Sequence, residues 1–249
     1  MSYGVRQIAL PSKEPVSLAE AKTFCRVPVA ITDEDTLISA LITSARIHAE
    51  TVTNRCLAER QFVLTLDHRP QDYGRLPWAG AIGGVSLPFN DLRNGITIPN
   101  PPLKSVDSVR YIALDGTALT LNPDADYVVD RISEPGRIFP PFGTTWPAAL
   151  HVANAIEVTF TCGYDPDPAA APDEHTVTSP TNQQPDSTVI LAVPQTIRVA
   201  ILMLVNHWYV NREPVAAGSV GTVPSHVDAL LAGVTITDFY PVSSNTHHR

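Results

Sequence analysis

Polar and apolar positions repeat with two different periods along this chain, and the change of period divides it. The stretch "PVSLAEAKTFCRV" predicts a short helix. The Ser17 hydroxyl can accept from the N–H of Glu20 while the Glu20 carboxylate reaches back to the N–H of Ser17, a reciprocal capping box, and Pro28 bounds the far end. A second helix is predicted over "ITDEDTLISALITSARIHAETVTNRCL", with Thr32 as its cap and Asp33, Glu34 and Asp35 suited to the positive end of the helix dipole. Ile38, Leu41, Ile42, Ala45, Ala49, Val52 and Cys56 form one apolar stripe along about 25 residues, or roughly 37 Å, which needs a partner to cover it. Arg46, Glu50 and Arg55 are read as lying off that stripe, with Arg46 and Glu50 pairing weakly on an exposed face.

Between Gln61 and Cys162 the period becomes two. Phe62, Leu64 and Leu66 alternate with polar neighbours, as do Val109 and Tyr111, Tyr127 and Val129, and Ile156, Val158 and Phe160. Turn residues at "LDGT", "NPDAD", "EPGR" and "PPFG" separate them, and Asp115-Gly116 signals a hairpin. The expectation is an antiparallel β-domain of about six strands. A glycine-bearing excursion, "GRLPWAGAIGGVSLPFNDLRNG", interrupts it. The stretch from Gly163 to Val189 is rich in Pro, Asp, Thr and Gln and reads as a linker, because it has too little apolar surface to offset the entropy of ordering.

The helical period then returns. Pro194 is expected at the first position of a third helix that runs to about Arg212, with Pro214 forbidding continuation. Ile197, Ala200, Ile201, Leu204, Val205, Trp208 and Tyr209 make one face, while Val199, Leu202 and Met203 extend apolar contact round the others, so this helix must be surrounded. "SHVDALLAG" predicts a fourth helix capped by Ser225 and ended by Gly233, and "VTITDF" alternates like a last strand. The fold class expected is therefore α+β, a helical bundle with an inserted antiparallel β-domain. Its parts are residues 1–60 (helical), 61–162 (β-rich), 163–193 (linker) and 194–249 (C-terminal helices and tail).

Charge and chemistry narrow the function. A net charge of −8 argues against a surface that wraps nucleic acid, since neutralising phosphates needs clustered Lys and Arg. No apolar run approaches the roughly 20 residues of a membrane span, and no signal peptide opens the chain, so the reading is cytosolic synthesis without a membrane partner. Cys25, Cys56 and Cys162 lie far apart, outside any metal-ligand spacing, and are expected to be buried free thiols. Catalytic motifs are missing: there is no nucleophile elbow, phosphate loop or zinc helix, so no catalytic, cofactor or metal residues are assigned. His207 is weighed as a base or ligand, and an ordinary helix-face hydrogen bond outweighs that role. Asp165, Asp167, Asp173 and Glu174 lack the spacing of a calcium loop and read as solvated acids.

Trp208 and Tyr209, at the end of an over-apolar helix, suit either core or an interface, and Arg212 and Glu213 suit either a subunit contact or a plain helix end. "EPVAAGSVGTVPS" reads as a loop that orders on a partner.

The order of these stretches resembles the head–tail connector proteins of tailed bacteriophages. It runs from "PVSLAEAKTFCRV" and "DEDTLISALITSARIHAETVTNRCL" through "QFVLTLD" and "PPLKSVDSVRYIALDGT" to "VPQTIRVAILMLVNHWYVNRE" and "VPSHVDALL". Nearest is the gp8-like group that includes gene-transfer-agent adaptors, within the gp6-like superfamily. The linker at 163–189 and the "WAGAIGGV" stretch depart from that pattern. The resemblance implies a structural virion protein without enzymatic activity or cofactor. It would form a dodecameric ring under the portal protein, extend the DNA channel, let packaged DNA pass without specific binding, and present a docking surface to a tail-completion or stopper protein. It further implies a contact with the portal or a neighbouring subunit through Trp208, Tyr209, Asn211, Arg212, Glu213, Val215, Val220 and Val223. The alternative is a ligand- or glycan-binding β-module on a helical stalk, with Tyr73 and Trp78 as its aromatic platform.

Overall fold

The computed structural model describes residues 3–11, 13–67, 95–165, 192–211 and 225–236. The chain is α+β and divides into two compact units, one formed by residues 1–10 with 60–162 and the other by 11–59 with 163–249.

The first unit holds the strands β1 (Tyr3–Gln7), β2 (Arg60–Leu66), β3 (Ile96–Thr97), β4 (Leu103–Ile112), β5 (Ala118–Leu121), β6 (Val128–Asp130), β7 (Arg137–Phe139) and β8 (Ile156–Cys162). They form two antiparallel sheets, a five-stranded one in the order β1-β2-β8-β4-β5 and a three-stranded one in the order β3-β7-β6. The period of two is clearest in β8, where Ile156, Val158, Phe160 and Cys162 are buried in alternation, and Phe160 stacks on Phe62 of β2 with ring centroids 5.8 Å apart. The Asp115-Gly116 turn joins β4 to β5. Gly116 takes a φ of +87°, a region that a side chain would disfavour, and the Ala113 N–H closes the turn on the Thr117 carbonyl at 2.8 Å.

The first strand departs from expectation. The sequence reading places residues 1–10 in the N-terminal helical part, but β1 pairs antiparallel with β2 along its whole length. Its Val5 is 38% exposed, so the strand buries no apolar face that could have produced an alternating signal. The strand expected at "VTITDF" is also absent over the part that is described: Val234–Ile236 follow a helix without strand pairing, and the Ile236 N–H donates to the Thr53 carbonyl at 3.0 Å. Residues 237–239 lie outside the described residues.

The second unit contains α1 (Leu18–Phe24), α2 (Asp35–Thr53), α3 (Gln195–Val210) and α4 (Ser225–Ala232). Its core joins Ala21 of α1, Ile38, Ile42, Ala45 and Ala49 of α2, and Val227 and Leu231 of α4 to Ile197, Ala200, Ile201, Leu204 and Val205 of α3. Helix α3 packs against all three other helices, which cover one face of it, but Leu202 and Met203 are only partly buried and Val199 is exposed, so the expectation that the helix is surrounded is not met within this unit.

Helix starts differ by a few residues from the sequence reading. The capping box at Ser17 forms in both directions, at 3.2 Å and 2.9 Å. Thr32 does not cap α2; Glu34 occupies that position without a side-chain cap, and the Thr32 carbonyl accepts from the Asp35 N–H at 3.1 Å. Pro194 stands just before α3 as its N-cap, and its carbonyl accepts from the N–H groups of Ile197 and Arg198.

Arg46 is the largest correction on the helical side. It is 3% exposed, not solvated, and bridges Glu14 at 2.7 Å and Glu50 at 2.8 Å, while Glu50 also accepts from the Leu57 N–H at 2.9 Å. Low exposure forces each of the donors it uses onto a protein acceptor.

Candidate interface at the end of the third helix

The last turn of α3 carries the described part of the predicted interface. Trp208 is half-buried and meets the His48 ring of α2 edge-on, with centroids 6.3 Å apart and planes at 82°. The neighbouring Tyr209 turns the other way, and its hydroxyl donates to the Glu34 carboxylate at the start of α2. Asn211 ends the helix: its N–H donates to the His207 carbonyl at 3.0 Å, and its side-chain amide donates to the same carbonyl at 2.9 Å. His207 therefore sits in an ordinary helix-end network, its Nδ1 being 3.3 Å from the Asn211 amide nitrogen. Val210, between Tyr209 and Asn211, is 68% exposed.

These contacts sort the sequence assignments. Trp208 and Tyr209 are tied to α2, and Asn211 is exposed beside them. Arg212, Glu213, Val215, Val220 and Val223 lie outside the described residues, as do Tyr73 and Trp78 of the alternative binding module. Asp167, Asp173 and Glu174 of the weighed calcium loop also lie outside them.

Sequence reasoning missed the residue that braces this end of the unit. Lys22 of α1 is 2% exposed, and its ammonium donates to the Val29 carbonyl at 3.0 Å, the Ile31 carbonyl at 2.5 Å and the Asp35 carboxylate at 2.6 Å. Three acceptors for three N–H donors satisfy the charge completely. The acids at the start of α2 suit the helix dipole, as the sequence reading has it, yet Asp35 also serves Lys22 and Glu34 serves Tyr209. The α1–α2 loop is thereby held in one shape, although Val29 and Ile31 on it are exposed. The signal was present: Lys22 stands four residues after Leu18, three before Cys25 and beside Ala21, on the buried face of α1.

At the other end of α1, Glu20 accepts from Ser17 and pairs with Arg198 of α3. Burial pushes its carboxyl up, but the Ser17 hydrogen bonds and the Arg198 guanidinium outweigh that and hold it below its ordinary value. A carboxyl depressed in the folded state stabilises the fold above its ordinary pKa and loses that contribution as pH falls through the folded value. Glu20→Gln is therefore expected to unfold more readily than the parent at neutral pH, and the two should converge as pH falls through the lowered folded value. Urea titrations across pH check this, and equal stability at pH 7 would remove the assigned role.

Among the described residues no group of three or more His, Cys, Asp or Glu side chains is placed to hold a metal ion. No helix among them is long and apolar enough to cross a membrane. Cys56 and Cys162 are buried and in no disulfide, the Cys56 thiol donating to the Ala58 carbonyl at 3.1 Å, whereas Cys25 is only half-buried, with burial raising its thiol pKa.

Comparison with solved structures finds the same architecture from one end of the chain to the other. A chain from the neck of an empty gene transfer agent particle, computed with C6 symmetry, superposes with a TM-score of 0.63 at 16% identity, covering 96% of this chain and 98% of that one. The fold is that of these neck proteins. A chain of the native particle's neck, computed with C12 symmetry, gives a TM-score of 0.61 at 16% identity over 96% and 98% of the two chains. One from the virion of the native particle gives 0.60 at 16% identity over 95% and 97%. No protein-family model and no curated protein sequence matches the chain.

Proposed function

We propose that this protein is a structural component of a virion neck, an adaptor of the head–tail connector class that forms a ring beneath the portal protein. The observation that carries the reading is the near-complete, reciprocal fold likeness to neck chains, one of them from a neck with C12 symmetry. Both units are covered, so the likeness is not confined to a common helical or β motif. The C6 and C12 symmetries of those necks support a ring of self-contacts, which we take as twelvefold. In it, Trp208, Tyr209 and Asn211, continued by Arg212, Glu213, Val215, Val220 and Val223, provide the contact to the portal or to the next subunit. The opposite side receives a tail-completion or stopper protein.

The charge balance suits such a channel. A subunit of net charge −8 repels phosphate, and DNA sliding through a lumen is helped by weak, non-specific repulsion in place of tight ion pairing.

Deleting the gene from its particle and restoring it in trans tests the reading by electron microscopy. Packaged heads without tails, beside free tails, are expected from the deletion, with tailed particles returning on complementation. Normal tailed particles from the deletion would overturn it.

A further inference from the structure

The five-stranded sheet ends on two strands that have no sheet neighbour on their outer side among the described residues, β1 at one edge and β5 at the other. Hydrogen-bond phase tells which backbone groups point away from the sheet. On β1 the Ile8 N–H donates to the Gln61 carbonyl at 2.9 Å, one step beyond the Gln7–Phe62 pair. Antiparallel alternation then turns Gly4 and Arg6 toward β2 and leaves the N–H and C=O of Tyr3, Val5 and Gln7 facing outward. On β5 the bond from the Ala113 N–H to the Thr117 carbonyl sets the phase. Leu119 and Leu121 face β4, and Ala118 and Thr120 face outward.

Exposed edges are ordinarily protected by short strand length, charged side chains, proline, bulges or a covering segment; β5 is four residues long and β1 carries one charge, Arg6. Neither strand contains proline or lysine, and β5 reads Ala-Leu-Thr-Leu with Leu119 45% exposed. The two edges differ in charge. Exposed Arg6 lies within β1, whereas exposed Asp115 and Asp124 bracket β5, and Arg110 on the adjacent β4 is offset by Glu157, its register partner on β8. A closed head-to-tail ring requires two unlike, complementary patches on each protomer, whereas a two-fold dimer requires one self-complementary patch. Two unlike sheet edges of opposite charge meet the first requirement.

We propose that β5 of one copy pairs with β1 of the next, so that the five-stranded sheets are joined from subunit to subunit round the ring. This rests on the neck-ring reading and names the partner, a second copy of the chain, and the surface it uses. Backbone hydrogen bonds give the contact its strength, and the Arg6 charge against Asp115 and Asp124 sets which edges meet.

Val5→Pro and Thr120→Pro each remove one outward N–H and leave the inward ladder intact, which an edge strand tolerates. With the full-length chain, native mass spectrometry is expected to find oligomers for the wild type and monomers for each variant alone. A one-to-one mixture of the two variants should form a heterodimer and stop there, because each supplies the edge the other lacks. Either variant assembling like the wild type, or no heterodimer in the mixture, would overturn the pairing.

A second readout avoids proline. On a Cys25→Ser background, Val5→Cys combined with Ala118→Cys or Thr120→Cys is treated with a short bismaleimide at about 1 mM protein, so that contacts with dissociation constants up to about the millimolar range are sampled. A ladder extending beyond dimer is expected, with none from the single-cysteine variants, and its absence overturns the pairing even for a chain that assembles only on its partner. Wild-type rings in micrographs together with no ladder would refute the edge contact alone. No wild-type oligomer under a general amine cross-linker, and none in particle necks, would refute the neck reading as well.

Discussion

Arg46→Met will lower the stability of the helical unit by about 3–5 kcal/mol, the usual cost of breaking a buried ion pair from one side. Arg46 is 3% exposed and is shared between Glu14, ahead of α1, and Glu50, on its own helix. Methionine fills much of the volume but offers no donor. Glu50, with 12% of its side chain exposed, would keep its hydrogen bond from the Leu57 N–H while losing its counter-charge. Glu14, at 28%, can recover solvent, which places the expected cost toward the lower half of the range. For a chain of this size each kcal/mol moves the thermal midpoint by about 2–4 °C, so a drop of about 10 °C is expected. Thermal melts followed by far-ultraviolet circular dichroism measure it. A shift below about 2 °C would mean that the two carboxylates are solvated well enough to do without the guanidinium.

Lys22→Met is expected to cost about 3 kcal/mol, and to act on the candidate interface as well as on stability. The ammonium holds two carbonyls of the α1–α2 loop and the Asp35 carboxylate. Asp35 is 29% exposed and can rehydrate, but the Val29 and Ile31 carbonyls lose the donor that bends the loop back onto α1. A double variant, Lys22→Met with Asp35→Leu, removes both charges and leaves those carbonyls unserved, so it should recover less than half of the loss. Hydrogen exchange is the sharper readout, with amides at Val29–Asp35 expected to lose protection while those in the centre of α3 keep theirs. Unchanged exchange in the loop would show that its shape is set by the chain and not by the buried cation. Glu34, next to Asp35, receives the Tyr209 hydroxyl, so loosening this loop also frees the last turn of α3.

Much of this was readable along the chain because it is local. A capping box is completed within four residues, and Ser17 and Glu20 form it as their spacing implies. The Asp-Gly hairpin and the alternation in β8 are equally short-range. The apolar faces of α2 and α3 were also legible, since Ile38, Ile42, Ala45 and Ala49 on one helix and Ile197, Ala200, Ile201 and Leu204 on the other keep helical spacing and are buried together. Arg46 departs from the expectation that it lies off the stripe: four residues after Ile42 and three before Ala49, it shares the phase of the buried residues. Lys22, which the sequence reading leaves unassigned, also stands at a buried phase of α1. A cation at an apolar phase is a signal for a buried partner, and the partner's position is what local reasoning lacks.

The sequence by itself determined the four helices, the alternating strands such as β2 and β8, and the apolar stripes they bury, because propensity, capping and periodicity act over one or two turns. It also determined that Trp208 and Tyr209 would lie where an apolar helix ends. Only the tertiary structure decided that Glu14 meets Arg46, that Lys22 meets Asp35, and that Tyr209 meets Glu34 across 175 residues. It alone decided that the first ten residues join the β unit, leaving β1 and β5 as the two edges of the sheet. The physical reason is that an ion pair or an edge strand is specified by what the rest of the chain brings within about 3–5 Å of it, and that closure over long loops leaves no periodic mark on either partner.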